Sequence, residues 1–125
     1  MKKQILMLAV SIAVSGLAGC SDVLSKEEIA KLSMKEAATE ACKAYVSMNA
    51  DRIIPFLEEK NVKKTKSILD KGLITSSRKK LEESICIVTD MKEKRRYTVV
   101  TFEKFVEKLK IFKDENNLYK VRSIF

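Results

Sequence analysis

The chain reads as an α+β domain, with helices first, led by one over about 34–49, and a C-terminal four-stranded antiparallel sheet after them. Two observations predict this. After Ser33 the apolar residues recur at Ala37, Ala41, Tyr45 and Met48, the spacing of one helix face. Beyond Leu81 the period shortens, and β-branched or alternating runs occupy 85–89, 97–102, 108–112 and 118–125. Helices grouped ahead of strands are the α+β order.

The helical half has legible boundaries. Ser25 with Glu28, and Ser33 with Glu36, each form the capping-box spacing, in which a hydroxyl caps an early N–H and a glutamate reaches back. The alanines and Cys42 on the 34–49 helix suit close packing against a flat surface. Asn49-Ala50-Asp51 reads as a break and a new cap. A second helix is expected over 52–60, with Pro55 in its first turn, where no intrahelical N–H is needed. A third, over 62–71, turns Val62, Ile68 and Leu69 inward and stops at Gly72. Residues 76–83 add a turn or continue as a loop.

In the second half, Ile85–Thr89 and Tyr97–Phe102 are rich in β-branched and aromatic residues. Met91–Arg96 joins them as a hydrophilic hairpin turn. The last segment alternates, placing Tyr119, Val121, Ser123 and Phe125 on one face. Asp114–Asn117 supplies turn residues that tolerate left-handed backbone. Glu103–Glu107 fits either a strand or a short helix.

Ahead of this domain, Lys2 and Lys3 precede an apolar stretch from Ile5 to Val14, interrupted only by Ser11. That run is too short to span a bilayer, which takes about 20 apolar residues, and it matches the central region of a signal peptide. It ends in Leu17-Ala18-Gly19-Cys20, which resembles the lipobox of bacterial lipoproteins at all four positions. The resemblance implies a signal peptide over 1–19, cleavage before Cys20 and acyl chains on that cysteine. Residues 20–25 are then a short lipidated tether and 26–125 a single domain. Several acyl chains on one residue give stable anchoring where one binds only reversibly. In Gram-negative lipoproteins an Asp directly after the cysteine retains the protein in the inner membrane. Here Ser21 holds that position, which favours the outer membrane, facing the periplasm.

An exported chain meets an oxidising compartment. With Cys20 taken by lipid, Cys42 and Cys86 remain, and a disulfide between them is the expected state. A zinc site is disfavoured, because the chain has no His and no Cys-x-x-Cys. Neither a metal nor a cofactor is expected. The same lack of His removes the commonest general base and any Ser-His or Cys-His pair, so no catalytic residue is assigned. The doublets Glu58-Glu59 and Glu82-Glu83 point apart on regular backbone and read as solvated surface.

Charge is unevenly spread. Residues 20–59 carry 5 basic and 8 acidic side chains, 60–80 carry 8 and 1, and 81–125 carry 10 and 8. The central excess makes Lys63, Lys64, Lys66, Arg78, Lys79 and Lys80 candidates for contact with an anionic partner, beside the plainer role of a solvated helix face. On a tethered domain such partners are anionic lipid, an anionic polymer or an acidic protein surface. Nucleic acid is not expected after export.

Over about 30–125 the order of elements resembles small envelope lipoproteins with cystatin-like or nuclear-transport-factor-2-like folds, in which an Ala-rich helix leads into shorter helices and a terminal meander. The resemblance implies a helix–sheet cavity, where Tyr45, Phe102 or Tyr119 would line a ligand site. The expectation is a non-enzymatic, membrane-anchored envelope lipoprotein that binds a protein or an anionic polymer or lipid. A small-ligand carrier and an inhibitor or immunity-type lipoprotein are the alternatives.

Overall fold

The computed structural model describes residues 23–125. The expected signal peptide over 1–19, Cys20 and the start of the expected tether lie outside the described residues. Both capping boxes form. Ser25 Oγ accepts the Glu28 N–H at 3.2 Å while Glu28 Oε1 accepts the Ser25 N–H at 3.0 Å, starting α1, Lys26–Ala30. Ser33 and Glu36 repeat the exchange at 3.1 and 2.9 Å and start α2, Met34–Ser47. Helix α2 buries Ala37, Ala38, Ala41, Cys42, Ala44 and Tyr45, so the alanine-rich face is the packed one.

Helix α2 ends two residues before the expected boundary. Met48 adopts φ 55°, a left-handed conformation that breaks the helical ladder. Asn49, rather than Asp51, is the new cap, its Oδ1 accepting the Asp51 N–H at 2.9 Å. The helix expected over 52–60 is replaced by a short α3, Ala50–Ile53, and a 3₁₀ turn, Ile54–Phe56. Pro55 has no N–H to continue the ladder, and Leu57 swings into extended backbone that bridges Val121 in parallel.

Helix α4, Glu59–Lys71, therefore starts three residues before the expected 62 and ends as expected at Gly72, whose φ of 87° suits glycine. Val62, Ile68 and Leu69 are only half-buried, and Thr65 is the residue of this helix that is fully buried. The 76–83 segment is a helix, α5, Thr75–Glu82, held to the core through Leu81.

The four strands pair consecutively and antiparallel: β1 Ile85–Glu93, β2 Thr98–Lys104, β3 Leu109–Lys113 and β4 Tyr119–Val121. Strand β1 outruns its expected end at 89, with register irregularities between Ile85 and Val88 and between Val88 and Asp90. Strand β2 takes in Glu103 and Lys104, after which Phe105 leaves the ladder to meet the rings of Tyr45 and Phe102 edge-on. Strand β4 is shorter than expected, because beyond Arg122 the chain turns inward and Phe125 stacks edge-to-face on Tyr45. The turn into β4 forms as expected: Asp114 Oδ1 accepts from the Asn116 and Leu118 N–H groups, and Asn117 takes φ 63°.

One layer of helix covers one face of the sheet. Helix α2 packs against β1, β3 and β4, and its alanines meet Val100, Phe102, Leu109, Ile111 and Val121 in a single core. The Cys42–Cys86 disulfide fastens α2 to β1, with the two Cα atoms 5.8 Å apart.

A cationic groove beside the fourth strand

The sheet's alternation decides which side chains reach solvent. Tyr119 and Val121 face the core, so Lys120 and Arg122 face outward. Arg122 continues the ladder by one hydrogen bond, its N–H donating to the Lys110 carbonyl at 3.0 Å. Its guanidinium lies 5.1 Å from the centre of the Tyr97 ring, with the Lys110 ammonium 5.6 Å from the same ring. Such cation–π contacts hold the long side chain over an apolar platform.

The Leu57–Val121 bridge, with Lys120 Nζ donating to the Pro55 carbonyl at 3.0 Å, sets the start of α4 beside the end of β4. The first turn of α4 thereby shares a groove of about 510 Å³ with Arg122 and Ser123. Lys60, Asn61 and Lys64 of α4 line it. Arg96, from the turn between β1 and β2, lines it too, with Phe112 and Phe125. Four cationic side chains from three separate segments thus meet one carboxylate, Glu58. Among the described residues, Lys60 makes a loose ion pair with Glu58 at 4.0 Å, while Lys64, Arg96 and Arg122 make none. A concave surface with an excess of one sign of charge concentrates counter-ions of the other.

Of the six basic candidates, Lys64 lines this groove. Lys66 lines a different concavity, beside Asp51 and Asp70. Lys63, Arg78, Lys79 and Lys80 are exposed, the last three on α5, with the Arg78 guanidinium lying near Gly72. Arg96 and Arg122 escaped sequence reasoning because they lie 32 and 58 residues from Lys64. The alternation of β4 carried the signal for Arg122, since it follows the inward Val121. The hairpin containing Arg96 gave no such sign.

The aromatic candidates for a ligand cavity lie in the core. Tyr45 is fully buried, with Phe105 and Phe125 edge-on at 6.4 and 5.5 Å. Its hydroxyl lies near Ser123 and Ile124 without completing a hydrogen bond. Burial pushes the phenol up to about 12, and the nearby Ile124 backbone and Ser123 pull it partly back. Phe102 is buried against Phe105, and Tyr119 is buried beside the Lys113 ammonium, 5.1 Å from its ring centre.

Among the described residues no group of His, Cys, Asp or Glu side chains is placed to hold a metal ion, and no helix is long and apolar enough to cross a membrane. Comparison with known protein families, with curated proteins and with solved structures gave no match.

Proposed function

We propose that the chain is a lipid-anchored, non-enzymatic protein of the bacterial cell envelope that binds an anionic partner at the membrane surface. The lipobox at Leu17–Cys20 supports the anchor. The convergence of Lys60, Lys64, Arg96 and Arg122 on one groove carries the binding reading. A solvated lysine run needs no such gathering of arginines from the sheet side. The groove's polar, cationic lining suits recognition by charge and hydrogen bonding, and a guanidinium offers paired donors that match an oxyanion.

The test is retention of the full chain, purified with its lipid in a neutral detergent, on an immobilised polyanion. Retention that salt removes, and that Lys64→Glu with Arg96→Glu abolishes, is the expected outcome. Retention unchanged by the double reversal assigns the charge effect to other surfaces and refutes the groove reading.

A further inference from the structure

The groove is not isolated on the surface. Arg96 and Phe112, which line it, also line an adjoining concavity that contains Lys94, Arg95 and Lys113 beside one carboxylate, Glu93. Met34, the first residue of α2, borders that second concavity. The chain enters the domain beside the same turn of α2: Leu24 shares a cleft with Lys35 and Glu36. Between Cys20 and Leu24 an extended chain reaches at most about 14 Å. The point where the tether joins and the second concavity therefore both border the first turn of α2, and that concavity joins the cationic groove through Arg96 and Phe112.

From this placement we infer that the groove is a lipid-phosphate site, taking the phosphate of an anionic lipid headgroup from the membrane that holds the anchor. The inference rests on the anchored, anion-binding reading above and names its ligand. A phosphate suits the two arginines, whose planar donors bind its oxygens in pairs. Phe112 and Phe125 offer apolar contact to the glycerol and upper acyl carbons. The tether keeps the domain within reach of its ligand, so a weak site is kept filled by high local concentration. Lys94, Arg95 and Lys113 add attraction from the surrounding anionic surface, which falls off within a Debye length.

The experiment uses the full chain in neutral detergent, titrated with a short-chain phosphatidylglycerol, a short-chain phosphatidylcholine and inorganic phosphate, read as the rise in melting temperature. Phosphatidylglycerol is expected to raise it, with the other two giving little. Lys64→Gln with Arg96→Gln, both exposed side chains, should raise the phosphatidylglycerol concentration needed for a given rise about 25-fold, since each cation beside an anionic lipid contributes a factor of about five in affinity. Lys43→Gln with Lys108→Gln, of equal charge change, should leave it unaltered.

An equal rise with phosphatidylcholine overturns the proposal, because acyl contact then explains binding. An equal rise with inorganic phosphate also overturns it, because the source is then free phosphate. No rise with any of the three, alongside salt-sensitive polyanion retention, refutes the lipid-phosphate assignment and leaves the broader anionic reading standing. Loss of both refutes both.

Discussion

Replacing Tyr45 by phenylalanine removes one hydroxyl from the middle of the core and keeps the ring contacts with Phe105 and Phe125. The phenol is held near 12 by burial, above its ordinary value of 10.0. A raised value means that the unfolded chain loses this proton first as pH rises. The stability linked to it is therefore fully present below pH 10 and is lost between about 10 and 12. At about pH 11 the loss amounts to roughly 1.4 kcal/mol, and it approaches about 2.7 kcal/mol above the folded value. Tyr45→Phe has no such proton. Near neutral pH the variant should match the parent or gain about 1 kcal/mol, because the hydroxyl is buried without a completed hydrogen bond. Urea unfolding followed by circular dichroism, at about pH 8 and about pH 11, measures both. Lysine titration is common to the two chains and cancels in the comparison. An equal alkaline loss in parent and variant would refute the buried-phenol argument.

Thr65→Val on α4 should stabilise the domain by about 1 kcal/mol in the same assay, since Thr65 is fully buried and its hydroxyl has no partner among the described residues. Changing Cys42 and Cys86 to serine opens a loop with a sequence separation of 44, and the chain-entropy relation puts the cost at about 4 kcal/mol. Denaturant titration with and without reductant checks this, because the parent should lose a similar amount when reduced. Ser33→Ala removes the hydroxyl that caps α2 and should cost about 1 kcal/mol, read as a lower melting temperature.

The large divisions of the fold were legible because short-range chemistry sets them. The Ser25 and Ser33 capping boxes, the Gly72 stop, the Asp114–Asn117 turn and the change of period after Leu81 all act within a few residues. The misplaced boundaries depend on contacts distant in sequence. The helix expected over 52–60 gives way at Leu57, which bridges Val121 across the fold. Strand β4 stops early because Phe125 is drawn to Tyr45. Helix α5 has one buried residue, Leu81, so its own sequence carried too little periodicity to separate helix from loop. The site followed the same rule. The surplus of lysines was visible in the sequence, whereas the pairing of Lys64 with Arg96 and Arg122 depends on the parallel bridge and the strand register.

The anchor underlies the whole functional account, and one measurement addresses it directly. The full chain is expressed in a bacterium, and the membrane fraction is analysed by intact mass without reductant. The expected product is a chain from Cys20 to Phe125 carrying acyl chains and lacking two hydrogens, as the Cys42–Cys86 disulfide requires. A soluble product without lipid would contradict the anchor, and with it the placement of the cationic groove at a membrane surface.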